Sequence, residues 1–212
     1  MTDQNDKGRF DFTEPVTLNF EHIFTPHAYK GNEPRYEADF EIDGDSPDLN
    51  AMKKAATAVA RAKWPGRDLS TLHFPWRLGD ALADKAKGKG KNREHSRGKL
   101  VLKARSKYAP FLSVIMNGEL TAFGDARRPL AQQYFYNGVL VVPYVTFNPY
   151  ENPAAGDGIN AFLDELISVR KGDRIGGGGG LRSQVFRQHV GSYTDEDPTA
   201  GQSQGAGGLA GF

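Results

Sequence analysis

Residues 158–172 read Gly-Ile-Asn-Ala-Phe-Leu-Asp-Glu-Leu-Ile-Ser-Val-Arg-Lys-Gly, and the architecture turns on whether they are helix or strand. Ile159, Phe162, Leu163, Leu166 and Ile167 recur at helical spacing, yet Ile159, Ala161 and Leu163 also alternate as a strand does. Gly158 and Gly172 bound a segment short enough for either. The 3.6-residue period accounts for more of the apolar positions, so periodicity alone predicts a helix over 159–169.

Outward from this stretch the patterns are mostly strand-like. Val16, Leu18 and Phe20 alternate with Thr17, Asn19 and Glu21, and Tyr36, Ala38, Phe40 and Ile42 alternate with Glu37, Asp39 and Glu41 before the turn Asp43-Gly44-Asp45. Two half-buried strands that could pair result. Ser46-Pro47-Asp48 then offers a cap, a pre-set first turn and a favourable charge for a helix, whose apolar positions Leu49, Met52, Ala56, Val59 and Ala60 fit a 3.6 period until Trp64-Pro65-Gly66 stops it. Residues 111–116 read as a buried strand ending at Asn117-Gly118. A longer β-rich run spans 134–150, with kinks expected at Gly138 and Pro143. Within it Tyr134, Tyr136, Tyr144 and Tyr150 share one parity and Val139, Val141, Val145 and Phe147 the other. Residues 1–12 carry no periodicity and read as a flexible arm. The pentaglycine at 176–180 opens a 37-residue stretch holding 11 of the chain's 25 glycines, too poor in apolar residues for a core, so 178–212 reads as a flexible, partly acidic tail.

The net charge of the 212 residues is only +1, but its placement is uneven: residues 85–107 hold ten Lys or Arg against one acid, Glu94. Such segregation marks a binder of polyanions. From 85 to 98 every second or third residue is Lys, Arg or Gly, including Lys89, Lys91 and Arg93, which predicts a mobile basic loop. It leads into 99–107, where Lys99, Val101, Lys103, Arg105 and Lys107 fall on one face of an extended chain and Leu100, Leu102, Ala104 and Ser106 on the other. A strand with a basic face follows. Repeated positive charge gains affinity for phosphate through counterion release, and tyrosines supply faces on which bases stack. Phe40, Trp76, Phe135 and Phe147 are read as packing residues.

Other chemistries find little support. With no cysteine the chain has neither a disulfide framework nor a thiol nucleophile. Its longest apolar run, 138–142, is far short of the ~20 residues of a spanning helix, and the N-terminus is polar, so membrane insertion and export are not expected. His22, His27, His73, His95 and His189 lack the spacing of a helical metal site. Asp43, Asp45 and Asp48 lack the glycine and glutamate of a calcium loop. The pentaglycine lacks the Lys-Ser or Lys-Thr of a phosphate loop. Asp157, Asp164 and Glu165 could hold magnesium for a nuclease, but no positioned histidine or lysine accompanies them. No cofactor is expected. A metal-dependent nuclease or recombination enzyme and an RNA-binding module are the alternative functions.

Several segments together resemble the single-stranded-DNA-binding proteins of tailed bacteriophages: Phe24-Thr25-Pro26, the basic-to-aromatic stretch 100–114, Tyr136-Asn137-Gly138 through Asn148-Pro149-Tyr150, and residues 158–177. The resemblance covers most of 13–177 and implies a mainly β fold: an OB-type antiparallel barrel with one α-helix after the second strand. It also implies a strand after Gly158, against the periodicity. By the same resemblance the protein coats single-stranded DNA during phage replication or recombination, in the cytoplasm of the infected host, without making or breaking a bond. Lys99, Lys103, Arg105 and Lys107 would neutralise phosphates, Tyr108, Tyr134, Tyr136 and Tyr144 would stack bases, and Lys89, Lys91 and Arg93 would fold over the strand. The acids Asp195, Glu196 and Asp197 and the terminal Phe212 would compete with DNA or dock phage or host replication proteins. Here 198–211 separate those acids from Phe212, where the family sets them side by side.

Overall fold

The computed structural model describes residues 8–28 and 33–175. In chain order these form β1 (Arg9–Asp11), β2 (Val16–His27), β3 (Arg35–Asp43), α1 (Pro47–Lys63), β4 (Trp76–Leu78), α2 (Gly79–Lys87), β5 (Lys99–Ser106), β6 (Phe111–Met116), β7 (Glu119–Phe123), β8 (Leu140–Tyr150) and β9 (Gly158–Arg170). Short 3-10 helices lie at Leu69–Thr71, Glu94–Ser96 and Asp125–Gln133.

Five strands close a barrel. β2 pairs with β3, β3 with β5 and β8 with β9, all antiparallel; β5 meets β9 in parallel, and β8 returns to β2. That order, with a single parallel seam, is the OB-type barrel the resemblance implies. Its interior is filled by Leu18, Ile23, Phe40, Ile42, Leu102, Phe147, Ile159 and Leu163, all essentially inaccessible to solvent. α1 follows the second barrel strand and buries Met52, Ala56 and Ala60 against the core. Its first residue is Pro47, but Ser46 makes no side-chain cap bond. Asp48 instead accepts hydrogen bonds from the Thr13 and Glu14 amides and the Thr13 hydroxyl, each at 2.8 Å, and ties down the chain entering β2.

Residues 158–170 are a strand, which corrects the helix predicted from periodicity. Tyr144 faces Glu165 and Val145 faces Leu163, so Asp164 is an extra residue in the ladder, a β-bulge. Before it the buried positions are Ile159, Ala161 and Leu163; after it they are Leu166 and Ser168. The change of parity turns a two-residue period into spacings of three and four, the signature of a helix.

Two further expectations are revised. Arg9–Asp11 pair with Tyr144–Thr146 of β8 and Phe12 is buried, so the end of the supposed arm belongs to the sheet. Residues 85–87 end α2 and 94–96 form a 3-10 helix, so the basic segment is folded over much of its length. The kink expected at Gly138 is present, with φ +102° just before β8, whereas Pro143 sits buried within an uninterrupted alternation from 140 to 148. The hairpin β6–β7 turns at Asn117 (φ 52°) and Gly118 (φ 80°), as the Asn-Gly pair requires.

Candidate nucleic-acid interface

The alternation of β5 is as expected from Leu102 on, with Leu102, Ala104 and Ser106 buried and Lys103 and Arg105 exposed; before it Leu100 is buried and so is Val101, which the pattern places on the basic face. Its basic face is not bare, however. β3 lies in register beside it, setting Glu37 opposite Arg105, Asp39 opposite Lys103 and Asp43 opposite Lys99. Lys103 Nζ lies 2.8 Å from Glu37, Lys107 Nζ 3.0 Å from Glu33, and Lys99 Nζ 3.7 and 3.6 Å from Glu41 and Asp43. Arg105 donates to Asn160 Oδ1 at 3.1 Å. A solvent-exposed ion pair is worth only about 0–1 kcal/mol. Lys103 and Lys107, with side chains 47% and 58% exposed, therefore exchange a carboxylate for a phosphate at little cost. Lys99, three-quarters covered, and Arg93, held 2.8 Å from Asp39 with both side chains nearly buried, serve the fold first.

Beside this row runs a strap, residues 73–76, of which the sequence reading named only Trp76, as a packing residue; both Phe74 and Trp76 do pack against the core while staying half-exposed. β4 pairs with β5 through Trp76↔Leu102. Lys103 N–H donates to Pro75 O at 2.8 Å and Ile159 N–H to His73 O at 2.7 Å, so residues 73–76 are bound to β5 and the start of β9. A Cβ on Gly158 would sit 2.3 Å from His73 O, so only glycine allows the strap this close. The Phe74 and Trp76 rings stack at 4.7 Å between centroids, both half-buried. Between the strap, β3 and β5 lies a groove of about 850 Å³ whose lining includes Phe74, Trp76, Arg77, Lys103, Arg105 and Tyr150. The aromatic pair, Arg77 and Tyr150 were not among the expected binding residues. Their signal was the run Phe74-Pro75-Trp76-Arg77, two aromatics around a proline in a segment too short for a core strand.

The basic segment is anchored to the barrel through a buried carboxylate. Glu41, 2% exposed, accepts from Asn19 Nδ2 at 2.9 Å and Ser96 Oγ at 2.6 Å, and lies 2.9 Å from His95 Nδ1. Burial pushes its pKa up, but the hydrogen bonds from Ser96, Asn19 and His95 outweigh it and hold the carboxyl below its ordinary value. Gly79 packs on the same segment, where a Cβ would fall 1.8 Å from Ser96 O. Arg97 bonds Glu94 and Asp84, each of which raises its pKa. Lys89 and Lys91 lie exposed in the turn that follows α2.

The predicted tyrosines separate. Tyr108, next to Lys107, is 82% exposed. Tyr144 does point outward from β8, but into a smaller concavity with Phe111, Asp164 and Glu165, away from the basic row. Tyr134 and Tyr136 precede β8 and so do not share its outer face: Tyr134 packs against Phe123. The Tyr136 hydroxyl bonds the backbone of Gly172, and Arg174 covers its ring at 4.2 Å. Of the acids considered for a nuclease, Asp157 is paired with Arg67 at 2.6 Å, while Asp164 and Glu165 both line the smaller concavity, Asp164 accepting from Thr146 at 2.6 Å and Glu165 from Ser113 at 3.3 Å. Asp195, Glu196, Asp197 and Phe212 lie outside the described residues.

The family model of the ssDNA-binding protein of Enterobacter phage Enc34 matches residues 12–197. The chain belongs to this family. Among solved structures, the Enc34 single-stranded DNA-binding protein in complex with ssDNA superposes with a TM-score of 0.63 at 19% identity, covering 80% of this chain and 90% of that one. A second structure of the single-stranded DNA-binding protein from bacteriophage Enc34 gives 0.60 at 17% identity, covering 84% and 90%. At these identities the Enc34 structures show a shared fold. No curated protein sequence matches significantly. Among the described residues no helix is long and apolar enough to cross a membrane.

Proposed function

We propose that the protein binds single-stranded DNA without sequence preference, through the groove between the 73–76 strap and the β3–β5 ladder. The observation that carries this is the placement of the stacked Phe74–Trp76 pair beside Arg77, Lys103 and Arg105. Aromatic faces accept any base, and the neighbouring cations follow the backbone. The family relationship supports the same reading, as does the Enc34 protein's complex with ssDNA. The function is protective coating in phage replication and recombination, in the host cytoplasm, with no bond broken. Lys103, Arg105, Lys107 and Arg77 take phosphates, Tyr108 extends the aromatic track, and Lys89 and Lys91 supply outlying charge. Lys99, Arg93, Tyr134 and Tyr136 shape the surface.

Titrating oligo-dT, oligo-rU and duplex DNA at several salt concentrations tests this reading. About four to six neutralised phosphates give a log-log slope of roughly −3 to −4. Lys103→Ala with Arg105→Ala makes the slope shallower by about 1 to 1.5. An unchanged slope would remove the ladder from the site, and equal affinity for oligo-rU or duplex would overturn the preference for single-stranded DNA. Cleavage of labelled DNA in magnesium would overturn the non-enzymatic reading.

The tail is proposed as a tethered competitor for the groove and, through Phe212, a contact for phage or host replication proteins. Residues 195–212 carry three acids and no Lys or Arg. Their deletion is expected to tighten DNA binding at low salt, with the difference vanishing as salt screens the competition. Equal affinities at low salt would eliminate competition.

A further inference from the structure

His22 and His27 are five residues apart on β2, an odd spacing that on a regular strand sets side chains on opposite faces about 16 Å apart. Here β2 shifts register against β3 twice, between Asn19 and His22 and again between His22 and His27. The two imidazoles end stacked, with centroids 4.6 Å apart and planes 13° from parallel. Glu37 is the residue of β3 directly across from His22. One ligand atom from each of the three lies within 4.8 Å of the others, the one such group of His, Asp or Glu side chains among the described residues.

We propose that His22, His27 and Glu37 form a zinc site on the rim of the groove, and that zinc there strengthens DNA binding by drawing Glu37 away from Lys103. Zinc takes imidazole nitrogen and carboxylate oxygen at about 2.0–2.2 Å, which places tetrahedral ligands about 3.3 Å apart. Closing from at most 4.8 Å to that spacing takes about 1.5 Å of side-chain movement and a turn of one imidazole out of the stack, so that both ring nitrogens aim at one point. Three protein ligands leave a coordination position open, and His22 and Glu37 both line the groove. At present Glu37 is held by Lys103 at 2.8 Å. An ion on the carboxylate adds two positive charges and leaves the Lys103 ammonium for a phosphate. This second consequence rests on the groove being the DNA site; the zinc site itself does not.

The experiment uses the full-length chain without a polyhistidine tag. Zinc binding is measured first in the absence of DNA, by competition with a chromophoric chelator. One equivalent is expected, and the double variant His22→Ala/His27→Ala should bind it at least tenfold more weakly. Absence of stoichiometric binding, or equal binding by the double variant, would overturn the site. Single His22→Gln and His27→Gln variants, melted in EDTA, separate ligand loss from unfolding: equal melting with weakened zinc binding supports the site. Oligo-dT is then titrated in zinc and in EDTA. The EDTA titration reports on the proposed function alone. Zinc should tighten binding several-fold in the wild type and not in Glu37→Gln, and an unchanged wild-type affinity would overturn the coupling.

Discussion

Trp76→Ala weakens binding of oligo-dT by about 1 to 3 kcal/mol, roughly five- to 150-fold, while the salt slope stays that of the wild type. The size follows from what the indole offers. It is half-buried, stacked on Phe74 and set beside Lys103, so a base laid against the pair meets a pre-formed aromatic surface with cations at its edge. Stacking releases no counterions, which is why affinity falls and slope does not. Trp76→Phe retains most of the affinity because a π-face remains. Fluorescence or anisotropy titrations at three salt concentrations, with thermal melting as a folding control, check this. An alanine variant that melts like the wild type and binds DNA equally well would move the site elsewhere on the barrel.

Glu41→Leu costs about 3 kcal/mol of stability, or about 10 °C in Tm for a chain of this size. It leaves Asn19 and Ser96, both buried, without the acceptor they share, and removes the counter-charge from Lys99. The pH dependence has a definite sign. The folded-state pKa of Glu41 is lowered, so its contribution is full above the unfolded value of about 4.3 and is lost as pH falls through the folded value. Melting from pH 7 down to pH 3 should therefore show the wild type losing its advantage over Glu41→Leu in the acid range. A constant difference across that range would mean that packing, not the ionised carboxylate, holds the 93–99 segment to the barrel.

Much of the barrel was legible because β2, β3, β5 and β8 each have one buried face, and a period of two survives wherever the ladder is regular. Segment 158–170 was not legible from periodicity, because the extra residue at Asp164 converts alternation into helical spacing. The basic face of β5 was legible as a pattern but not as an electrostatic surface. The acids of β3 alternate just as regularly, yet which strand lies beside which is not written in either one alone. Phe74 escaped, and Trp76 was read only as packing, because a three-residue strand carries no period, and Tyr134 and Tyr136 were misplaced because the parity of β8 begins only at Leu140. His22 and His27 were overlooked because their juxtaposition depends on irregularities that spacing rules exclude.

The bulge at Asp164 also marks where the length of this strand can vary. Before it β9 runs beside β5 at Ala161, and after it beside β6 from Glu165 to Ser168, while β8 pairs along both halves. Remove Asp164 and the strand alternates without a break, Leu163 in, Glu165 out and Leu166 in, against the same partners on β8. A residue can thus be lost at the bulge without turning the strand's faces over, whereas an insertion or loss elsewhere in the ladder shifts every following side chain to the other face. Chain-length variation among relatives should therefore collect in the turns, around 88–92 and 152–157, and within this strand at Asp164, so that a gap placed between 159 and 163 in an alignment marks an error of alignment before it marks an event in evolution.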